Sequence, residues 1–398
     1  MSNARLAPDF LFEASWEVCN KVGGIHTVIS TKAQTVTRKF GDRYILIGPD
    51  LSHEGTNSEF EEDQTLLKAW RQAVYSEGLR IRIGRWKIKG EPLAVLVDFT
   101  SLIPRKDEIL TKLWESYHVD SLSGQWDYIE PVLFGYAAGT VIASYVKTFC
   151  SSTEKIVAHF HEWMSAAGGL YLRKYAPYVA TVFTTHATVM GRCIAGNRLP
   201  LYSDLAKFNA DELARQFNVT AKHSIEKTAA ANHDAFLTVS DITANECKFL
   251  LGREPDGITP NGFENDFVWT GEEYYAKRDE ARKAMIAVAE ACLGEKFARD
   301  PLIVGTSGRY EFKNKGLDVF VDSLLKLSES ASLPRPVLAY VTVPAGNLGP
   351  RKDLQAHLKD PGSPIDPTVI RNLTHYLSAP EWDPIIGRIK NSRLMDPA

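Results

Sequence analysis

A chain of 398 residues has room for two or three domains, each with a core of its own. Its 44% hydrophobic and 24% charged residues are ordinary for a folded protein, and a net charge of −3 excludes a chain that is basic overall, of the kind that coats nucleic acid or an acidic membrane. The five cysteines (Cys19, Cys150, Cys193, Cys247, Cys292) are scattered and form no C-x-x-C pair, which favours reduced thiols in a cytoplasmic protein over a disulfide framework.

The N-terminus, "MSNARLAPDF", has no basic-then-apolar leader pattern, and no apolar stretch reads as long enough to cross a bilayer. "EVCNKVGGIHTVIS" (17–30) places Lys21, Gly23 and Gly24 in a short loop before an amphipathic helix. Apolar runs at 43–48, 93–99, 155–160, 180–185 and 235–240 then predict strands, apolar throughout as in a parallel sheet covered on both faces. Between them the spacing predicts helices over 128–147, 165–175 and 241–251, the last with Asp241 as its N-cap after Ser240 and Gly252 at its end. Strands alternating with helices imply a doubly wound α/β fold with ligands at the carboxyl ends of its strands.

After "TPNGF" (259–263) a charged helix over 271–292 leads into "LIVGTSGRYEFKNKG" (302–316), a strand and a loop, followed by a helix over 317–327 and a strand over 336–344. The reading is a complete domain over 1–262 and a partial second one over 263–398, with about two strands and no clear alternation beyond Gly346.

Four segments could carry chemistry. Paired glycines at a helix N-terminus let backbone N–H groups approach an anion, although a plain tight turn explains the same residues. "AHFHEWMSAAGG" (158–169) puts His159, His161 and Glu162 after a strand. It contains no H-E-x-x-H, so a metal reading is weak, while a carboxylate at a strand's end can hold a sugar hydroxyl. "FTTHATVMGR" (183–192) repeats the arrangement with His186, which taken alone is more often a satisfied structural histidine. Arg309 and Lys315 lie six residues apart before a helix, a pair able to converge on a diphosphate or to be two surface cations. The chain has no D-x-D metal–diphosphate motif, so a diphosphate here would be neutralised by side chains and backbone, with no metal and no cofactor.

Taken together, "FEASWEVCNKVGGIHTVISTKA", "HFHEW", "FTTHATVMGR", "VSDITANE", "TPNG" and "GRYEFKNKG" resemble the eukaryotic-type glycogen synthases, over residue 11 to about 327. These are retaining glycosyltransferases of the two-Rossmann-domain (GT-B) fold. The resemblance implies UDP-glucose as donor, with ADP-glucose left open, and glycogen or an α-1,4-glucan as acceptor. A homo-oligomer is compatible with it, and no nucleic acid or membrane is implied. It assigns Lys21, Gly23 and Gly24 to the donor phosphates, His186 to the donor sugar, and Glu162 to the same cleft. Arg309 and Lys315 become the grip on the diphosphate, and these four side chains (His186, Glu162, Arg309, Lys315) the catalytic set.

The departure from the family is in the tail. The family's second domain has two glutamates eight positions apart in a segment like "EPWGYTPAE", one of them the catalytic carboxylate. The acids Asp353, Asp360, Asp366, Glu381, Asp383 and Asp396 have neither that spacing nor that context. The expectation is an N-terminal portion of a longer enzyme, inactive or nearly so alone. The alternatives are a non-catalytic glucan- or nucleotide-binding half-enzyme, and a retaining transferase of the trehalose-phosphate or sucrose synthase type.

Overall fold

Nine short strands make one sheet from the first part of the chain: β1 (Phe10–Ala14), β2 (Tyr44–Pro49), β3 (Phe60–Glu62), β4 (Arg80–Trp86), β5 (Leu93–Asp98), β6 (Ile156–His161), β7 (Ala180–Thr184), β8 (Ala235–Thr238) and β9 (Gly257–Ile258). The computed structural model describes residues 7–51, 57–265, 268–330 and 333–395. The first six residues of the segment without a leader pattern thus lie outside the described residues. Two compact units meet in sequence at Glu264–Asn265, two residues beyond the expected boundary.

The spatial order is β3-β4-β5-β2-β1-β6-β7-β8-β9. From β5 to β9 all neighbours are parallel, while β3 and β4 add an antiparallel edge. The β-branched and leucine-rich runs explain the centre. Every residue of β2 is buried, Ile45 and Ile47 in the core on one face and Tyr44 and Leu46 in that on the other. A strand apolar on both faces is stable only with helices above and below it.

Those helices are α1 (Gly24–Phe40), α2 (Lys68–Ser76), α3 (Lys106–Tyr117), α4 (Trp126–Phe149), α5 (Glu162–Tyr175), α6 (Val189–Gly196), α7 (Ala210–Gln216), α8 (Thr220–Asn232) and α9 (Asp241–Glu246). The chain winds outward from β1 through β2 to β5, then returns to β6 on the other side of β1. That reversal opens a crevice at the carboxyl ends of β1 and β6, where ligands bind in folds of this kind.

Helix α4 corrects one expectation. Its 24 residues are long and apolar enough to span a membrane by length and composition, but 72% of its most apolar window is buried inside the protein. It is the central core helix, pressed onto α5 through glycines. A Cβ on Gly139 would sit 2.5 Å from the Gly168 carbonyl oxygen, and one on Gly168 2.5 Å from that of Gly135. Only glycine permits this approach of two backbones.

Behind the sheet, His233 is 3% exposed between Phe160 and Phe183. Its Nδ1 lies 2.9 Å from the Ala229 carbonyl oxygen, to which it donates, and Nε2 is buried without a partner among the described residues. Burial pushes its pKa down to about 4. The unfolded chain protonates this ring at about 6.5. Between those values the unfolded state binds a proton that the folded state refuses, so stability falls as pH drops, by about 1.4 kcal/mol per unit and roughly 3 kcal/mol in all. Thermal unfolding followed from pH 7.5 to 4.5 should show this loss, and His233→Leu should remove part of the slope. Identical pH slopes in the two proteins would refute the assignment.

The second unit begins with α10 (Gly271–Leu293) and a parallel pair, β10 (Leu302–Ser307) and β11 (Val337–Thr342), joined through α11 (Leu317–Ser328). The tail is more ordered than expected: β12 (Asn347–Pro350) pairs antiparallel with β13 (His375–Leu377), next to α12 (Lys352–Lys359) and α13 (Pro384–Ile389). Elements of three to eight residues leave too little periodicity to be read in advance. Arg351, fully buried, is held by Asp353 and the Leu373 carbonyl and anchors this tail.

Candidate functional site

The crevice end of β1 carries an acid inside an apolar strand. Glu13 has a side chain only 2% exposed. Its Oε2 accepts from the Tyr44 hydroxyl at 2.5 Å, and its Oε1 takes the Lys32 ammonium and His161 Nε2, the latter at 2.5 Å. Burial alone would raise its pKa, but Lys32 and the hydrogen bond from His161 hold the carboxyl well below its ordinary range.

An ionised Glu13 can only accept, so His161 donates from Nε2. Burial keeps the His161 ring neutral against the pull of Glu13, and its Nδ1 is therefore an acceptor. His186 Nε2 lies 2.9 Å from that atom and must donate to it. Burial first, then the neighbouring His161, pushes the His186 pKa down to about 3. These tautomers are assigned from the hydrogen-bond partners. The outcome is a half-buried neutral imidazole whose remaining nitrogen, Nδ1, presents a lone pair suited to a hydroxyl.

Glu162 belongs to the same group in a different capacity. It opens α5 in a left-handed conformation (φ 63°), and its buried Oε1 accepts the His186 backbone N–H at 2.9 Å. The expected carboxylate for a sugar hydroxyl is instead turned onto the backbone of the turn that carries His186. Burial raises its pKa, with Arg192 and the amides of His186 and Ala187 opposing.

The glycine loop also needs a correction. The N–H groups of Gly23 and His26 are not directed at an incoming anion, since both donate to Glu17 Oε2, at 2.7 and 2.9 Å. An internal carboxylate occupies that position, and a Cβ on Gly23 would stand 3.0 Å from Glu17 Oε1. Gly24 and Lys21 are exposed, and Gly24 has open space where a Cβ would be. The strand-end residues His161, Glu162 and His186 come together, and the Lys21–Gly24 loop follows β1 at the same edge of the sheet.

Arg309 and Lys315 lie in the second unit, on the loop from β10 into α11. Both are exposed, with Arg309 Nη2 3.1 Å from Glu311 Oε1. The Lys315 N–H closes a turn onto the Glu311 carbonyl at 2.9 Å, so the two cations flank one tight turn. The Tyr310 hydroxyl donates to Asp383 Oδ2 at 2.7 Å and ties the loop to α13. Lys313, between them, is committed to Asp318.

Ligand atoms of Glu13, His159 and His161 lie within 4.8 Å of one another, close enough for a metal ion. Lys32 already stands on the Glu13 oxygen such an ion would use, and His161 Nε2 presents a proton there. A cation would have to displace both.

Sequence reasoning missed Glu13 and Lys32 as parts of the site, and noted His161 only as a strand-end histidine. The signal was present: an acid in the apolar run "FLFEA" is costly unless paired.

The family model described as glycogen synthase matches residues 13–348. The Glycogen [starch] synthase of Neurospora crassa is 34% identical over 345 residues, covering 84% of this chain and 48% of that protein. The liver Glycogen [starch] synthase of Homo sapiens is 34% identical over 329 residues, covering 80% and 46%. The chain spans about half the length of the curated relatives it matches. Among solved structures, the catalytic domain of Starch Synthase IV from Arabidopsis thaliana, bound to ADP and acarbose, aligns at 15% identity and a TM-score of 0.46, covering 85% of this chain and 69% of that one.

Proposed function

The chain belongs to the glycogen synthase family, and from this premise we propose that the full-length protein transfers glucose, with retention, from UDP-glucose to the non-reducing end of an α-1,4-glucan. The observation that carries this reading is the neutral His186 at the reversal point of the sheet, backed by His161 and an ionised Glu13. A neutral acceptor in a crevice suits a sugar hydroxyl, whereas an imidazolium would suit an anion.

In this reading His186 Nδ1 receives a hydroxyl of the donor glucose and orients the ring. Glu162 holds the backbone of the His186 turn and does not touch the sugar. Arg309 and Lys315 meet the charge that grows on the diphosphate as the bond from the anomeric carbon to the phosphate oxygen breaks, and the acceptor hydroxyl adds on the same face. No metal is needed where two cations and a helix terminus face the leaving group.

The test is transfer of labelled glucose from UDP-glucose or ADP-glucose to glycogen, with the product digested by an exo-acting α-1,4-amylase. Label released as maltose supports the reading. Label transferred to glucose 6-phosphate instead, or to no acceptor by the full-length protein, overturns it.

A further inference from the structure

The turn between β7 and α6 must aim His186, yet it is irregular backbone of the kind that usually moves most. Three buried carboxylates from three other helices converge on it. Glu162 of α5 holds the His186 amide. Glu246 of α9 accepts the Thr188 hydroxyl at 2.7 Å, and that same oxygen of Thr188 accepts the Gly191 N–H at 3.0 Å to cap α6. A Cβ on Gly191 would fall 2.2 Å from Glu246 Oε2, so glycine there makes room for the carboxylate.

Glu226 of α8 does most. It is fully buried; its Oε1 accepts the Thr185 hydroxyl at 2.7 Å and its Oε2 the Val189 N–H at 2.9 Å. One side chain thus bridges the residues on either side of His186 and shortens the turn's free length to three residues. Burial first, and then the Glu162 carboxylate, pushes the Glu226 pKa up to about 8. The Thr185 hydroxyl can accept a hydrogen bond from the protonated acid as readily as it donates one to the carboxylate, so the bridge survives in the neutral form.

We propose that Glu226 is a positioning residue for glucosyl transfer, fixing through Thr185 and Val189 the turn that presents His186 to the donor sugar. This rests on the function proposed above for His186. Glu226 reaches no reacting atom in this arrangement, and its influence passes through the backbone. Misplacing a substrate-contacting group by about 1 Å can cost about 10²-fold in rate.

The experiment compares Glu226→Ala, Glu226→Gln and Thr185→Val in the full-length protein, each with and without His186→Ala. Glutamine can accept the Val189 N–H and donate to Thr185, so E226Q should recover most of what E226A loses. E226A should lower kcat by about 10- to 10²-fold with a smaller change in the donor KM, and should cost little further once the imidazole is gone. Nitrogen NMR of the histidine rings reads the same point without turnover: His186 should hold one neutral tautomer in wild type and E226Q, and a mixture in E226A. Should E226A fail to fold, T185V removes one of the two bonds with little change of volume and should broaden the His186 signal. An unchanged ring spectrum in both E226A and T185V overturns the proposal, as does an equal loss from E226A with and without His186→Ala. Absence of transfer by the wild-type protein would sink the functional reading alone, since the ring spectra still decide the positioning.

Discussion

Replacing His186 with alanine lowers glucosyl transfer by the full-length protein about 10²- to 10³-fold, the range for removing one preorganised polar group from a transition state. Its stability changes by only about 1 kcal/mol, the worth of one ordinary hydrogen bond. The two effects separate because of how the ring is held. His186 is half-buried, and its ring is tied to the protein by the bond from Nε2 to His161. Deleting the ring leaves the His161–Glu13–Lys32 group in place beneath it, and water can take the vacated position on His161 Nδ1. The measurement is kcat/KM for the donor beside the melting temperature of each protein. Turnover within about threefold of wild type would return His186 to a purely structural role, since such a ratio is under 1 kcal/mol of transition-state stabilisation.

Arg309→Ala and Lys315→Ala are each expected to weaken use of the nucleotide sugar by at least about 10²-fold, with folding nearly unchanged. A diphosphate concentrates negative charge, and an arginine fork with a lysine point charge is a fitting counterpart. The Arg309–Glu311 pair does not compete seriously, because an exposed ion pair is worth about 0–1 kcal/mol and yields readily to a doubly charged ligand. Lys313 is the internal control: it sits on the same loop but is paired with Asp318 at the start of α11, and Lys313→Ala should leave donor use near wild type. Nucleotide affinity by calorimetry and donor kcat/KM decide the matter. Equal, small losses for all three lysine and arginine variants would mean that the loop is only a charged surface.

Much of the fold was legible because burial on both faces leaves a plain mark in sequence. The runs at 44–49 and 93–98 are apolar without alternation, and the α4 pattern was read to within two residues at each end. Strand β1 was missed for an instructive reason: Glu13 interrupts its apolar pattern, and the interruption is the site itself. Strand β4, "RIRIGRW", alternates and belongs to the antiparallel edge, which a reading tuned to buried parallel strands passes over. At the site, the histidines were visible but their order was not, since the link from His161 to Glu13 spans 148 positions. The glycine loop misled because its geometry suits any anion, and only the folded chain reveals that Glu17 is the one bound. For Arg309 and Lys315, spacing left surface cations and a phosphate grip equally open, and it was the wider family pattern that favoured the grip.

The central place of β1 also dictates when the site can exist. As the chain leaves the ribosome, Tyr44 follows Glu13 by 31 residues and Lys32 by fewer, so the carboxylate can acquire its hydroxyl and ammonium partners early, in a local β1–α1–β2 unit. His161 arrives 148 residues after Glu13, a delay of roughly 7–30 s at ordinary synthesis rates. Through that interval one edge of β1 stands open and its acid is already ionised. The waiting carboxylate makes that edge costly to bury against another apolar strand, which protects the nascent chain from pairing wrongly until β6 emerges.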